Sequence, residues 1–329
     1  MRVLVTGGAG FIGSHLCRRL LADGHSVSVV DNESNGSRDC VPADAWYAKG
    51  DVIRPEEVEP AFARGLDAVC HIAGQVSIIR SFSDPVADLR TNTEGTVNVL
   101  KLCLKYKVPK LIYASSMTLY GDCKIVPIPE TQPCLPDSYY GITKYAAERY
   151  VHSTAMRPDL DFDFNVTSLR MYSVYGPGQS TNNPYQGVLG IFSGNLLRGE
   201  PITIFGDGEQ TRDFVYIDDI VDAWSRALTA PAARGAIVNV GSGRSLSINQ
   251  LAEHAIAAFG HAPGSYPIKR APGRPGEQCA VQADVGLAKS VLGWEPKTPF
   301  ATGLAHTIKW AREEFAANPP ARAAAGAKR

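Results

Sequence analysis

Short apolar runs alternate with amphipathic stretches through the first half of the chain. The runs are rich in β-branched residues, which is typical of buried strands. The stretches between them repeat apolar residues at helical spacing. Six strands are predicted in this way, at residues 3–5, 26–30, 45–49, 68–72, 110–115 and 166–171. Long helices are predicted at residues 88–105 and 138–154. The alternation predicts an α/β fold, in which a doubly wound parallel sheet is covered by helices on both faces.

Both long helices carry apolar residues on defined sides. The first places one set on a single side, namely Leu89, Val97, Leu100 and Leu104. The second has Ile142, Ala146 and Tyr150 on one face, and we expect that face to pack on the core. Either Asp137 or Ser138 can cap the start of this second helix.

The pattern changes after about residue 176. Segments become short and are interrupted by Pro and Gly, as in 176–187 (GPGQSTNNPYQG) and 205–214 (FGDGEQTRDF). Residues 237–240 predict one more sheet strand, and helices are predicted at 248–259 and 300–315. We interpret this half as a smaller lobe that covers the carboxyl edge of the sheet. Residues 316–329, rich in Ala, Pro and Arg, are predicted to form a flexible tail.

A glycine-rich turn separates the first predicted strand from the first helix. Gly7 allows a tight turn, Gly10 lets the backbone approach a pyrophosphate, and Gly13 lets helix and strand pack closely. The free amides at the helix start, beside Phe11 and Ile12, can then hold the anion. A strand before the glycines and a helix after them are the context that a Rossmann-type dinucleotide site requires.

The second strand ends at Asp31, about twenty residues after the glycines. A carboxylate at this place would accept hydrogen bonds from the adenosine ribose hydroxyls and repel the extra phosphate of NADP, so the sequence predicts NAD. Asp31 could alternatively serve only to begin the loop DNESNGS, because Asp and Asn are common turn residues. The domain expected to bind NAD comprises residues 1–172 with a returning segment at about 213–241. Residues 173–212 and 242–315 form the substrate lobe.

The composition predicts a cytoplasmic location and argues against nucleic acid and membranes as partners. The chain has 329 residues, 44% of them hydrophobic, and its 33 Lys and Arg balance its 33 Asp and Glu. This neutrality gives no attraction to nucleic acid or to membrane surfaces, and no apolar stretch is long enough to span a bilayer. The first strand follows Met1 directly, which leaves no room for a signal peptide. The seven cysteines are scattered without a C-x-x-C pair, so we expect reduced thiols and a cytoplasmic enzyme.

The candidate catalytic residues lie in SYYGITKYAAERY, where Tyr140 and Lys144 share one helix face. A tyrosine is a poor base at its reference pKa of about 10. A nearby ammonium and a nicotinamide cation favour the phenolate, and lowering the pKa by about three units requires about 4 kcal/mol. Ser116, just after the fifth strand, could hydrogen-bond the substrate oxygen that Tyr140 deprotonates. An ordinary helix surface pair would show the same Tyr-Lys spacing. A hydrolase is disfavoured because no G-x-S-x-G elbow occurs, and no metal is predicted because the histidines lack ligand spacing.

Together these residues resemble the extended short-chain dehydrogenase/reductase family, specifically its nucleotide-sugar epimerases and dehydratases. The resemblance covers nearly the whole chain. It rests on TGGAGFIG, Asp31, Gly50-Asp51-Val52, His71-Ile72-Ala73-Gly74, Asn92, SSMTLYG, YGITK, LRMYSVYGPGQ and GDGEQTRDFVYIDD. The resemblance implies NAD contacts, beyond the glycine turn and Asp31, from Asn32, Asp51, Val52, Ala73, Gly74, Asn92, Ser115, Tyr140, Lys144 and Tyr172. It implies substrate contacts from Ser116, Thr118, Ser173, Arg212, Arg274 and Glu277, with the arginines holding the diphosphate.

The resemblance also implies a reaction type. Sugar 4,6-dehydratases carry Asp-Glu after the catalytic serine, whereas this chain has Met117-Thr118, which favours C4 epimerisation of a UDP-glucose/UDP-galactose type sugar. Elimination stays open if an acid such as Glu209 moves in. Ser173 is similar to the Thr of uronate epimerases, and 175–192 resembles a subgroup with dTDP-rhamnose epimerases, so UDP- and dTDP-sugars both remain candidates. A redox-sensing NAD-binding protein is the non-enzyme alternative, although such proteins usually lack the tyrosine and lysine. The family's helix pairing implies a homodimer.

Overall fold

A seven-stranded parallel sheet forms the centre of the computed structural model, which describes residues 1–181, 183, 187–273 and 278–318. The described residues form strands that belong to this sheet and to two smaller ones. In chain order they are β1 (Arg2–Thr6), β2 (Ser26–Asp31), β3 (Trp46–Lys49), β4 (Ala68–His71), β5 (Lys110–Ser116), β6 (Asn165–Met171), β7 (Ser173–Tyr175), β8 (Ile202–Phe205), β9 (Thr211–Tyr216), β10 (Ile237–Val240), β11 (Ser245–Ser247) and β12 (Ile268–Ala271). The large sheet has the order β10-β6-β5-β4-β1-β2-β3, and every pairing in it is parallel. The predicted α/β fold is therefore confirmed.

Helices connect the strands and cover both faces of the sheet. They are α1 (Phe11–Ala22), α2 (Pro55–Phe62), α3 (Ile78–Ser83), α4 (Pro85–Leu89), α5 (Gly95–Lys105), α6 (Tyr139–Ala155), α7 (Val188–Arg198), α8 (Ile217–Thr229), α9 (Ile248–Ala258), α10 (Gly286–Leu292) and α11 (Phe300–Ala317). A π-helical turn, Arg90–Glu94, joins α4 to α5. Over the described ranges, no helix combines the length and the apolar character needed to cross a membrane.

The alternation of side chains along β1 explains why the sheet is covered twice. Val3 and Val5 belong to one buried cluster, which includes Leu16 of α1 and Trp224 of α8. Leu4, between them, points into a second cluster on the opposite face, formed with α2, α5 and α6. Because successive strand residues face opposite sides, a run that is apolar throughout requires a core on each face.

Two small sheets lie beyond the carboxyl edge of the large one. β7 follows β6 directly and pairs in parallel with β9, which pairs in turn with β11. β8 pairs with β12. The strand predicted at 237–240 returns to the large sheet as β10 beside β6. The domain bounds expected from the sequence stay a prediction, and the tail predicted at 316–329 lies outside the described residues from 319 onward.

The helix predicted over 88–105 is confirmed, because α4, the π-helical turn and α5 follow one another without a break, although Leu89 is 51% exposed. One expectation about the second long helix is wrong. Ile142 and Tyr150 do not pack on the core, because α6 turns the opposite face to the sheet and leaves them 48% and 52% exposed. Helices α2, α3, α7, α8 and α10 were not predicted from the sequence.

Candidate active site

One cavity of about 1200 Å³ opens along the carboxyl edge of the large sheet. Residues that directly follow the ends of five neighbouring strands line it, namely Gly7, Asn32, Gly50, Ile72 and Met117. This volume exceeds the ~300–1,000 Å³ that a drug-sized ligand occupies. The cavity can therefore hold two ligands of nucleotide size side by side.

The glycine turn forms one end of this cavity. Gly7 has a φ of +75°, and its N–H donates to the carbonyl of Val30 over 2.8 Å. Gly10 begins α1 without a side-chain cap, so the first amides of the helix are left for a ligand. A Cβ atom at Gly13 would lie 2.1 Å from the Gly7 carbonyl oxygen, which makes glycine obligatory there. Phe11 and Ile12 also line the cavity. This cradle fits a pyrophosphate.

Asp31 is held rigidly at the end of β2. Its two carboxylate oxygens accept the backbone N–H groups of Ala9 at 2.9 Å and Glu33 at 2.7 Å. Burial raises the pKa of this carboxyl, and its backbone donors act in the opposite direction. Asp31 also lines the cavity, and a carboxylate can accept about four hydrogen bonds, so it can still accept ribose hydroxyls.

The residues predicted beside the adenine lie near Asp31. Asn32 donates from Nδ2 to Asp51 over 2.9 Å, and Asp51 also accepts the N–H of Ile53. Val52 is buried and lines the cavity with both of them. The structure thus brings these three predicted positions together at the glycine-turn end.

The loop after β4 gives the cavity its opposite wall. Ala73 and Gly74 line the cavity, whereas Asn92 does not and lies behind them. Asn92 accepts the N–H of Gln75 over 2.9 Å and donates to Asp88 and Thr143. Its contact with NAD stays a prediction, since its side chain is engaged in supporting this loop.

Ser115 and Ser116 end β5 with opposite orientations. The hydroxyl of Ser115 donates to Glu148 over 2.7 Å, away from the reacting position. The Ser116 oxygen accepts the Thr118 hydroxyl over 2.9 Å, because the chain turns into a 3-10 helix directly after β5. Thr118 therefore supports Ser116, and it does not line the cavity as predicted for a residue that contacts substrate.

Tyr140 lies in the first turn of α6, which Ser138 begins by accepting the N–H of Gly141 over 3.2 Å. Tyr140 and Ser116 both line the cavity, and the Ser116 hydroxyl acts to lower the pKa of Tyr140. The expected lowering of its pKa does not occur in this state. Burial raises the pKa of Tyr140 to about 12, and the Ser116 hydrogen bond only partly offsets it. The phenol is therefore neutral here and would act as a base only when a cation lies beside it.

Lys144 lies one helical turn after Tyr140 and is 5% exposed. Its ammonium stands 4.5 Å from the centre of the Tyr113 ring, in a cation–π contact. Burial lowers the pKa of Lys144 to about 8, whereas the carboxylates of Asp88 and Glu148 raise it. Since an added Cβ at Gly74 would be 3.8 Å from Lys144 Nζ, the lysine is adjacent to the cavity wall without lining it.

The far end of the cavity is formed by residues after β6 and by the second half of the chain. Tyr172 and Ser173 line it directly after β6. The buried Tyr172 hydroxyl finds no hydrogen-bond partner among the described residues. Arg212 on β9 lines the same end and donates to the carbonyl oxygens of Thr211 and Gln278. Arg274 and Glu277 lie outside the described residues.

Helix α7 forms a wall that the sequence did not predict. It contributes apolar side chains and one amide, namely Val188, Leu189, Ile191, Phe192 and Asn195. Their helical spacing before Gly199, which ends α7 with a φ of +68°, is the signal that could have revealed it. Gln278 also lines the cavity and donates to the carbonyl of Gly121. Across the described ranges, no group of three or more His, Cys, Asp or Glu side chains could hold a metal ion.

Known proteins are similar to this chain in both sequence and architecture. A family model described as the NAD-dependent epimerase/dehydratase family matches residues 3–241. A UDP-glucose 4-epimerase from Mycolicibacterium smegmatis is 37% identical over 95% of this chain and 99% of that protein. The UDP-glucose 4-epimerase of Thermotoga maritima, solved with UDP-glucose, is 37% identical, with a TM-score of 0.90 over 96% of this chain and 100% of that chain. The Thermus thermophilus enzyme, solved with NAD, is 36% identical, with a TM-score of 0.87 over 95% and 99%.

Proposed function

The chain belongs to the NAD-dependent epimerase/dehydratase family, and we propose that it interconverts nucleotide sugars of the UDP-glucose/UDP-galactose type at C4. The reaction passes through a transient 4-keto sugar. The observation that carries the proposal is the pairing of Tyr140 with Ser116 at the cavity wall, while the next residues, Met117 and Thr118, offer no carboxylate. The site therefore has the groups that oxidation at C4 requires, and it lacks the acid and base that loss of water would require.

NAD fits the cavity as it is built. When bound, it accepts the C4 hydrogen with its electron pair and returns it. The amides after Gly10 hold the pyrophosphate, and Asp31 accepts the adenosine ribose hydroxyls. Lys144 would donate to the nicotinamide ribose, and Ala73, Gly74 and Tyr172, which line the cavity, would hold the ring. Asp31 repels a 2′-phosphate, which excludes NADP.

Tyr140 and Ser116 move the proton. The Ser116 oxygen already accepts the Thr118 hydroxyl, so its own O–H is directed toward the phenol and the substrate oxygen. Tyr140 takes the C4 hydroxyl proton as the hydrogen leaves C4, and gives it back when the hydrogen returns to the opposite face. Because the same two residues serve both directions, the reaction is reversible and consumes no reductant.

Two alternatives within the family find less support. Glu209, the acid considered for elimination, does not line the cavity, and its Oε1 accepts Asn249 Nδ2 over 2.6 Å. Among the described residues that line the cavity, the charged ones are Asp31, Asp51 and Arg212. Both carboxylates lie at the adenosine end. We assign Arg212, with Arg274 and Glu277, to the nucleotide, so a C6 carboxylate would have no cation of its own and Ser173 faces a neutral sugar.

The test is a comparison of products. The purified protein is incubated with UDP-glucose, UDP-galactose, UDP-glucuronate, their N-acetyl forms and dTDP-rhamnose, and the mass of each product is recorded. We expect an epimer of unchanged mass, reached from UDP-glucose and from UDP-galactose. A product lighter by one water or by carbon dioxide would assign the chain to the dehydratases or decarboxylases. Denatured protein should release NAD(H), and no turnover of any sugar would favour the redox sensor.

We also propose a cytoplasmic homodimer. All seven cysteines are free, which suits a reducing compartment. Exposed apolar residues cluster on α3, α4 and α6, where Phe82 and Tyr139 stack at 5.3 Å and Leu89, Ile142 and Tyr150 are half-exposed. A second copy covering this surface would bury it. A monomer mass by light scattering at micromolar concentration would contradict the homodimer.

A further inference from the structure

Asp88 is a fully buried carboxylate outside the groups assigned to the reaction. It lies in α4, and its exposed fraction is 0%. Its Oδ1 accepts Gln75 Nε2 over 2.6 Å and Asn92 Nδ2 over 3.1 Å, and its Oδ2 accepts the Thr143 hydroxyl over 2.6 Å. A carboxylate is costly to bury, and hydrogen bonds to its charged form are what keep it ionised. All three donors are neutral side chains, so this charge has not been cancelled locally.

The partners of Asp88 belong to two different parts of the site. Gln75 is in the loop after β4, where it bonds the backbone of Ser77, a residue that lines the cavity. Thr143 is on α6, immediately before Lys144, and its hydroxyl is also within hydrogen-bond distance of the Tyr140 carbonyl, at 3.1 Å. Asp88 therefore fixes the cavity loop against the turn of α6 that carries the tyrosine and lysine.

The other carboxylate near Lys144 is already paired. Glu148, one turn further along α6, accepts Arg170 Nη2 over 2.7 Å and Arg170 Nε over 3.0 Å. It also accepts the Ser115 hydroxyl over 2.7 Å. Both members of this ion pair are buried, with side chains 5% and 1% exposed. Arg170 thus offsets much of the charge of Glu148, and of the two carboxylates Asp88 raises the pKa of Lys144 more.

The remaining groups around Lys144 carry no charge. Tyr113 presents its ring to the ammonium, and burial holds the pKa of its hydroxyl well above the usual range. His71 is held between the hydroxyls of Thr6 at 2.7 Å and Thr96 at 3.0 Å, and burial lowers its pKa to about 3. The Tyr140 phenol is neutral. Asp88 is therefore the unbalanced negative charge that acts on Lys144.

We propose that Asp88 is a positioning residue, which locks the loop of Gln75 to α6 and supplies the negative charge that keeps Lys144 an ammonium. The proposal deepens the proposed function, on which it rests, by naming what maintains the charge of the lysine that holds the nicotinamide ribose. Without Asp88, the same burial would favour a neutral amine, which would hold the nicotinamide ribose less strongly.

The consequence for pH is directional. Asp88 raises the pKa values of both Lys144 and Tyr140. The isosteric change Asp88→Asn removes the charge, so both pKa values fall. Lys144 then loses its proton at a lower pH, and Tyr140 reaches its phenolate at a lower pH. A neighbouring charge shifts a pKa by ~1–3 units, so the whole pH profile of turnover should move downward by about one unit or more.

The test measures two quantities over pH 6 to 10 for the wild type, Asp88→Asn, Asp88→Glu and Asp84→Asn. The first is turnover, and the second is the fraction of NAD retained after dialysis, which requires no sugar. We expect Asp88→Asn to lose NAD, and turnover, at a pH about one unit lower than the wild type. Asp88→Glu keeps the charge and should leave the limits unmoved even if its rate is lower. Asp84, which caps the same helix by accepting the Ala87 N–H over 3.0 Å, is the matched control and should behave as the wild type.

Two results would overturn the proposal. One is an Asp88→Asn variant that is less active at every pH with unmoved limits, which would leave Asp88 a purely structural role. The other is an unchanged variant. If circular dichroism shows that Asp88→Asn does not fold, the test rests on Asp88→Glu alone. This variant keeps the charge, so a change in the pH at which it loses NAD and turnover would contradict the proposal. A wild type that retains NAD but converts no sugar would overturn the proposed function while leaving the NAD measurement decisive for Asp88.

Discussion

The two ends of the cavity are built in different ways. The adenosine end is formed over the short stretch from β1 through α1 to β2. Backbone sterics set the glycine turn, and backbone N–H groups hold Asp31. At the catalytic end, residues from the β4 loop, α4, the end of β5 and α6 meet through side-chain hydrogen bonds. The comparison indicates that the first end depends on the shape of the chain, whereas the second depends on hydrogen bonds and charges assembled over long sequence distances.

The largest effect is expected at the catalytic end. Tyr140→Phe removes the phenol oxygen, which is the proposed proton acceptor and lines the cavity with Ser116. Loss of a positioned acid–base group costs typically ~100- to 10,000-fold in rate, so turnover should fall within this range while the circular dichroism spectrum stays unchanged. The measurement is the initial rate of UDP-galactose conversion. A rate near that of the wild type would mean that another group carries the proton.

A buried ion pair behind the catalytic end should give the next largest effect, on stability. Glu148→Ala leaves the Arg170 guanidinium buried without its partner, and it also removes the acceptor of Ser115. Breaking such a pair costs about 3–5 kcal/mol in the free energy of unfolding, measurable by urea denaturation. The matched control is Asp161→Ala, which breaks an exposed pair with Lys107 and should leave the unfolding midpoint unchanged. Equal effects of the two changes would contradict the importance of burial.

The adenosine end should respond to a single methyl group. In Gly13→Ala the added carbon would lie 2.1 Å from the Gly7 carbonyl oxygen, so α1 or the glycine turn must shift. Overpacking of this kind costs about 1–3 kcal/mol, and it should appear as a lowered free energy of unfolding together with loss of bound NAD. Gly273→Ala is the control, because a Cβ there meets no atom within 4 Å. A Gly13→Ala protein that retains NAD and full stability would show that the turn does not depend on close packing.

The same comparison explains what the sequence could predict. The glycine turn and Asp31 follow from local conformational demands, and Tyr140 with Lys144 follows from helical spacing, so all of them could be placed without coordinates. The links from Asp88 to Gln75 and Thr143 could not, because they join positions up to 55 residues apart. The lowered pKa expected for Tyr140 requires a bound nicotinamide cation, so it stays a prediction. The sequence does not give the burial of this residue, which raises its pKa in the folded chain.

The helix faces show a second limit. Periodicity identified Ile142 and Tyr150 as an apolar face of α6 but assigned it to the core, whereas it lies at the surface. A hydrophobic pattern predicts that a helix face is buried. It does not indicate whether the same chain or a second copy of the chain buries that face. The π-helical turn at residues 90–94 could not be predicted either, because it leaves no simple signature in the apolar spacing.

The fate of the hydrogen at C4 tests most directly whether the reaction is a reversible oxidation at C4. UDP-galactose carrying deuterium at C4 is incubated with the purified protein in ordinary water, without added NAD, and the UDP-glucose formed is examined by mass spectrometry and proton NMR. We expect deuterium to be retained at C4 of the product, because the hydrogen removed from one face of the sugar is returned to the other face within the same cavity. Loss of the label to solvent, or a dependence on added NAD at each turnover, would contradict it.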